Sequence, residues 1–186
     1  MIAQSAKESF FRMEKKKTEI LTVSQKRKGR KPMVLTEKET GLLKDLRAQE
    51  QLCIKKYTRY AEEAKAPALR ALFEDMRSTE EEHLRTVREM LRGETPSAPT
   101  TPLKGDNRYA EMGAVYDSEE DKKHDAFLCE DMLTTEKHAS SLYDTSVFEF
   151  RSPVMRKMLN HIQAEEQQHG EEIYAFVSAN KLCPES

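Results

Sequence analysis

The chain has 186 residues and a formal net charge of −2, and 34% of its residues are charged. A chain of this length suits one ordinary domain with a sizeable core. Glycine is scarce and helix-forming residues are abundant, so the composition favours helix over sheet. The cysteines form no CxxC pair. This argues against a zinc ribbon or a disulfide scaffold, and we therefore expect a reducing, cytoplasmic location.

Charge divides the chain near residue 32. Residues 1–32 have ten Lys and Arg against three Glu, a net charge of +7, whereas the remainder has −9. The first segment has no sustained apolar period, which predicts a basic, disordered tail at 1–32 on an acidic globular domain at 33–186. No run resembles a signal peptide or a transmembrane helix, so we expect no membrane partner. Only the tail has a charge that suits nucleic acid.

Local start and stop signals divide the globular domain into four predicted helices. Thr36 and Glu39 have the spacing of a capping box, so the first helix begins there. Pro67 and Pro153 suit first helical positions, and Gly93 suits a left-handed cap. The segment GETPSAPTTPLKGDN is irregular because of its Pro, Thr and Gly content. We predict hairpin one at 36–92, an irregular crossover at 93–117 and hairpin two at 118–180.

Apolar residues recur in each predicted helix in steps of three and four, which indicates one buried stripe per helix. Four such stripes predict an all-α four-helix bundle. Glu81 and Glu82 lie off the stripes. Three histidines also lie off the stripes, and we expect these to be solvated: His124, His138 and His161. Near the middle of the helices, six polar residues occupy stripe positions: Glu50, Glu80, His83, Glu136, Glu166 and His169.

The second half of the chain repeats the first with a constant offset of 86 residues. Glu50 corresponds to Glu136 and Pro67 to Pro153, with no gap across the two helices. Each copy places a Glu on its first helix and a Glu-x-x-His motif on its second. We therefore predict two copies of one helix hairpin.

The six polar stripe residues suit a metal site. Four carboxylates buried together cannot remain uncompensated, because desolvation and mutual repulsion would cost many kcal/mol. Two divalent cations would balance their charge, and residues three apart on a helix share a face, so each Glu-x-x-His can reach one cation. The alternative is a polar core filled by Glu–His and Glu–Arg hydrogen bonds. Tyr57 and Tyr143 lie two turns after a stripe Glu. At these positions there are two alternatives: either their hydroxyls contact the site, or their rings are ordinary core aromatics.

The predicted crossover is long enough to set the direction of the helices. Its 25 residues extend to about 80 Å, at roughly 3.3 Å per residue, whereas a helix of about 26 residues spans about 39 Å. The crossover can therefore run the full length of the bundle. We predict that the second and third helices point the same way, and that a two-fold axis relates the hairpins.

Residues 36–180 resemble the ferritin-like superfamily, in particular the rubrerythrin-like di-iron carboxylate proteins, through the Glu and Glu-x-x-His positions of both hairpins. The stretch EFRSPVMRKMLNHIQAEEQQHGEEIYAFV is most similar to the bacterial spore coat protein F family. The resemblance implies a ferritin-like antiparallel four-helix bundle with a long crossover. It also implies two iron ions, with manganese as the other metal that suits these ligands. Glu80 and Glu166 would bridge the metals, and the terminal ligands would be Glu50, His83, Glu136 and His169.

The same resemblance implies a rubrerythrin-like oxidoreductase that reduces hydrogen peroxide or oxygen, or oxidises Fe(II), with the six metal ligands as catalytic residues. A peroxidase would need an external electron donor, because the chain has no rubredoxin-type CxxC module. Ala139 also stands one turn beyond Glu136, where rubrerythrins often have a further carboxylate. The alternative is a non-enzymatic spore coat protein in which the site is structural or vestigial. A homodimer is compatible with either reading.

Overall fold

The computed structural model describes residues 32–96, 109 and 112–182, and four long α-helices dominate these ranges. No strand occurs among the described residues, so the predicted all-α four-helix architecture is confirmed. The predicted tail, except for Pro32, and most of the predicted crossover lie outside the described residues. The helices are α1 at Glu37–Glu63, α2 at Pro67–Leu91, α3 at Glu119–Glu149 and α4 at Pro153–Ala179.

The helix ends follow the signals in the sequence. At the start of α1, the Thr36 hydroxyl accepts from the Glu39 backbone N–H at 3.1 Å, and the Glu39 carboxylate accepts from the Thr36 N–H at 2.7 Å. Ser118 and Ser152 cap α3 and α4 through their side-chain oxygens. Gly93 follows α2 with a φ of 70°, a left-handed conformation that glycine adopts without strain. The predicted starts and ends therefore hold to within about two residues.

The four helices pair as two hairpins, α1 with α2 and α3 with α4. Between the hairpins, α1 packs on α3 and α2 packs on α4. Lys38 near the start of α1 lies 2.5 Å from Glu149 at the end of α3, and Tyr60 near the end of α1 donates to Asp131 at 2.7 Å. These contacts make α1 and α3 antiparallel. Because α1 and α2 are joined by a tight turn, α2 and α3 point the same way, as predicted.

Two buried carboxylates join the hairpins at their turns and show the approximate two-fold symmetry. Asp125 on α3 accepts from the backbone N–H groups of Lys65 and Ala66, each at 2.9 Å, in the turn of hairpin one. Glu39 on α1 accepts from the backbone N–H of Arg151 at 3.0 Å, in the turn of hairpin two. Glu39 and Asp125 are 86 residues apart. Each hairpin therefore satisfies backbone donors in the turn of the other.

Within the described residues, no helix is long and apolar enough to cross a lipid bilayer.

The Glu39 contacts predict an acid-sensitive contribution to stability. Burial opposes ionisation of Glu39, but hydrogen bonds from Thr36 and Arg151 outweigh it and lower the pKa from 4.5 to about 2. A lowered pKa stabilises the folded state above the unfolded-state pKa, so this contribution is complete above about pH 4.5 and is lost as the pH falls toward 2.

We therefore expect Glu39→Gln to lower the free energy of unfolding at pH 7, with a difference from the wild type that shrinks between pH 5 and 2. Denaturant unfolding at a series of pH values measures this difference. Glu37→Gln is the control, because Glu37 is exposed in the same helical turn. A Glu39→Gln difference that stays constant down to pH 2 would contradict the assignment.

Candidate metal centre

All four helices contribute to one polar cluster in the middle of the bundle core. Its members are at most 5% exposed, although each side chain is charged or readily becomes charged. The structure thus brings together every residue that the sequence analysis selected as a metal ligand. The six are Glu50 on α1, Glu80 and His83 on α2, Glu136 on α3, and Glu166 and His169 on α4.

The cluster divides into two overlapping groups of four residues. Within each group, one ligand atom from every residue lies within 4.8 Å of the others, which is close enough for all four to contact one ion. Glu80 and Glu166, the two residues predicted to bridge the metals, belong to both groups. The remaining members are Glu50 and His83 in one group, and Glu136 and His169 in the other.

Both imidazoles direct Nδ1 into the cluster. Nδ1 of His83 lies 3.1 Å from Glu166 and 3.2 Å from Glu80. Nδ1 of His169 lies 2.9 Å from Glu80 and 3.3 Å from Glu136. The two rings stack with centroids 5.9 Å apart. Each histidine therefore reaches a carboxylate of the other hairpin as well as residues of its own.

Two buried tyrosines hold the outer carboxylates of the cluster. The Tyr57 hydroxyl on α1 donates to Oε1 of Glu136 on α3 at 2.5 Å. The Tyr143 hydroxyl on α3 donates to Oε1 of Glu50 on α1. Both tyrosines are fully buried. The sequence left their role open, and the structure shows that both hydroxyls contact the cluster across the hairpin interface.

Several carboxylate oxygens in the cluster have no hydrogen-bond partner. They are Oε2 of Glu50, Oε1 of Glu80 and both oxygens of Glu166. A buried acceptor without a partner normally costs about 1–3 kcal/mol, and more when it is charged. Two of these oxygens lie beside an imidazole nitrogen: Oε1 of Glu166 is 3.1 Å from Nδ1 of His83, and Oε1 of Glu80 is 2.9 Å from Nδ1 of His169. Such oxygens, gathered with two imidazole nitrogens, are chemically suited to divalent cations.

The pKa values of two carboxyl groups show that the negative charges of the cluster are not compensated within it. Burial and the neighbouring charges of Glu80, Glu136 and Glu50 raise the pKa of Glu166 well above its usual range. Burial and Glu80 likewise raise the pKa of Glu50. Without a cation the cluster must therefore take up protons, because it cannot hold four negative charges in a dry core. Protons and cations are alternative ways to neutralise the same oxygens.

One neighbour of the cluster was not predicted. Nε2 of His83 lies 3.0 Å from Oε2 of Glu165, and Nε2 of His161 lies 3.3 Å from the same oxygen. The prediction that His161 is solvated is therefore wrong, since it is partly buried in contact with Glu165; His124 is also partly buried, whereas His138 is exposed. Glu165 lies off the α4 stripe and has no acidic counterpart in the repeat, so neither pattern could identify it.

One part of the chain is similar to a known protein family. Residues 124–184 match the family model of the Coat F domain. The predicted likeness to the spore coat protein F family is thereby confirmed for this segment. The Coat F match covers most of α3 and all of α4, and so includes Glu136, Glu166 and His169. Comparisons with curated proteins and with solved structures gave no match.

Proposed function

We propose that this chain binds two divalent cations between its two hairpins, in a ferritin-like carboxylate centre. The observation that carries the proposal is the set of buried carboxylate oxygens without hydrogen-bond partners, at the centre of two four-residue groups that share Glu80 and Glu166. Four carboxylates match the charge of two divalent cations. A hydrogen-bonded polar core would instead pair these oxygens with donors, as the tyrosines do for one oxygen of Glu50 and one of Glu136.

The residues of the chain have distinct roles in this centre. Glu80 and Glu166 would be shared by the two cations, and His83 and His169 would each supply Nδ1 to one of them. Tyr57 and Tyr143 fix the outer carboxylates by a hydrogen bond to one oxygen. For Glu50, the other oxygen remains without a partner and is thus available to a cation.

The chemistry of the centre follows from the metal it binds. Carboxylates with one imidazole per cation suit Fe(II) and Mn(II), and we propose iron as the first choice. Two Fe(II) ions together supply the two electrons that reduce one hydrogen peroxide, with two protons, to two water molecules. The chain's contribution is to bury the ligands and exclude water, and an external donor has to restore the electrons. A rubrerythrin-like oxidoreductase acting on peroxide or oxygen, or oxidising Fe(II), is therefore one candidate function.

The Coat F match supports a second candidate, a spore coat protein in which the cations are structural. Each cation position takes ligands from both hairpins, so bound metal would link hairpin one to hairpin two. Such a link stabilises the folded bundle by mass action without any turnover. On this reading the protein is located in the spore or its coat.

Metal analysis followed by an activity assay tests the proposal and separates its two forms. We expect about two divalent cations per chain, by elemental analysis, after expression without added iron. The iron-loaded protein is then mixed with hydrogen peroxide and an artificial electron donor. Catalytic peroxide consumption supports the oxidoreductase, whereas retained metal without turnover supports the structural coat protein. Protein that neither carries nor takes up divalent metal refutes the two-cation centre.

A further inference from the structure

The two halves of the cluster match each other except at one imidazole. Nδ1 of His83 lies 3.1 Å from Glu166, and Nδ1 of its counterpart His169 lies 2.9 Å from Glu80. The contacts of the other ring nitrogen, Nε2, differ between the two histidines. Nε2 of His83 lies 3.0 Å from Oε2 of Glu165. Within the described part of the chain, the contacts of His169 with carboxylates all involve Nδ1.

The difference is encoded in the sequence. The residue 86 positions before Glu165 is Thr79. Its hydroxyl donates to the backbone carbonyl of Asp75, one turn earlier on its own helix, at 3.4 Å. A threonine has neither the length nor the charge to replace a glutamate at an imidazole nitrogen. The asymmetry is therefore a property of residue type at two equivalent positions.

Glu165 is held in place from two sides. His161, one turn earlier on α4, approaches the same Oε2 at 3.3 Å, so this oxygen lies between the two imidazoles. The side chain of Glu165 is 24% exposed, whereas that of His83 is 3% exposed. The carboxylate is thus fixed toward the buried histidine while its position at the bundle surface keeps it partly hydrated.

A carboxylate in this position prepares an imidazole to bind metal. When Glu165 accepts the Nε2–H of His83, the ring is fixed as the tautomer whose Nδ1 lone pair faces the cluster. The negative charge also strengthens Nδ1 as a donor. His169 has no such partner among the described residues, so its tautomer and ring orientation are less constrained.

We propose that Glu165 is a positioning residue for His83 that makes the two cation positions unequal, with the tighter one beside Glu50 and His83. This inference rests on the proposed two-cation centre. Outer carboxylates that hydrogen-bond a metal-binding histidine typically change metal affinity by about 10–100-fold. We therefore expect the cations to bind in sequence, because one half of the centre is already organised.

Titration of the metal-free protein with Co(II), followed by calorimetry and visible absorption, measures the two steps. The wild type should bind two Co(II) per chain, the first at least about tenfold more tightly. Glu165→Ala should weaken one step by about tenfold or more, and Glu165→Gln, which keeps an acceptor oxygen without the charge, should fall between. The control Glu130→Gln, at an exposed position of α3, should behave as the wild type. Thermal melting of each metal-free variant establishes that it folds.

Two double variants show which of the two cation positions depends on Glu165. In Glu136→Gln the Glu50 position keeps its full ligand set, so adding Glu165→Ala should weaken Co(II) binding further. In Glu50→Gln the same addition should have no effect. If adding Glu165→Ala weakens Co(II) binding equally in both backgrounds, or in neither, the inference is overturned. The proposed two-cation centre would still stand, provided that the wild type binds two Co(II) ions. Wild-type protein that binds no Co(II) would defeat the proposed function and this inference together.

Discussion

Replacing Glu166 by Gln is expected to reduce bound metal from about two cations per chain to one or none. Gln keeps almost the same volume but removes one of the four charges that balance two divalent cations. Glu166 belongs to both ligand groups, and neither of its oxygens has a hydrogen-bond partner. The stabilisation that metal gives the folded protein, about 4 kcal/mol when free metal exceeds Kd a thousandfold, should fall with the occupancy.

The same substitution has the opposite effect if the cluster is only a polar core. In the metal-free protein, burial and the charges of Glu80, Glu136 and Glu50 raise the pKa of Glu166. A neutral amide then resembles the protonated acid and relieves repulsion, so stability should stay the same or rise. Glu80 is a less direct test, because its contacts with His83 and His169 offset its burial and lower its pKa. Glu80→Gln should nevertheless lose metal to a similar extent.

Elemental analysis and thermal melting, with and without a chelator, measure both effects for the wild type, Glu166→Gln and Glu80→Gln. Glu81→Gln is the matched control, since Glu81 is an exposed neighbour of Glu80 on α2. Wild-type protein without metal, together with a Glu166→Gln variant at least as stable, would exclude the two-cation centre.

Replacing Asp125 by Ala is expected to destabilise the folded protein strongly, although Asp125 lies outside the cluster. Asp125 is fully buried, and its two oxygens accept the backbone N–H groups of Lys65 and Ala66. Ala leaves both donors without a partner in the turn of hairpin one. At about 1–3 kcal/mol for each of the two unsatisfied groups, the free energy of unfolding should fall by about 2–6 kcal/mol. For a domain of this size, that lowers Tm by roughly 5–20 °C.

Asp144→Ala is the control for this effect, because Asp144 lies on the same helix and is exposed. Asp125→Asn keeps one acceptor but places an amide N–H₂ against the second backbone donor, so it should also be destabilised. Urea unfolding and melting measure all three variants. Asp125→Ala with wild-type stability would show that water replaces the carboxylate in this turn.

Much of this arrangement is predictable from local sequence patterns. The capping box at Thr36 and the proline at Pro67 determine helix starts through hydrogen bonds within a few residues, so no tertiary information is needed. The stripe positions of Glu80 and His83 follow from helical periodicity, and the repeat gives their counterparts. The 86-residue offset also pairs Glu39 with Asp125, so this turn contact left a signal that could have been found.

The contact between Glu165 and His83 could not be predicted in the same way. Glu165 stands beside a stripe residue and has Thr79 as its counterpart, so neither periodicity nor the repeat selects it. Its approach to His83 depends on how closely α2 and α4 pack and on their relative rotation. Those quantities are set by the side chains of both helices together. The same holds for His161, which was expected in solvent because it lies off the α4 stripe.

The two-fold relation between the hairpins has a consequence for how such a protein can be built. The Coat F match covers most of hairpin two, which has one apolar stripe per helix and half of the buried polar cluster. Alone, that hairpin would expose Glu136, Glu166 and His169 beside its apolar residues, and no carboxylate of a second hairpin would accept the backbone N–H of Arg151 in its turn. A single hairpin therefore needs a second hairpin to bury its apolar stripes and polar residues and to satisfy the backbone of its turn. A shorter chain with a single copy would have to pair with a second copy across a two-fold axis to obtain what this chain contains by duplication.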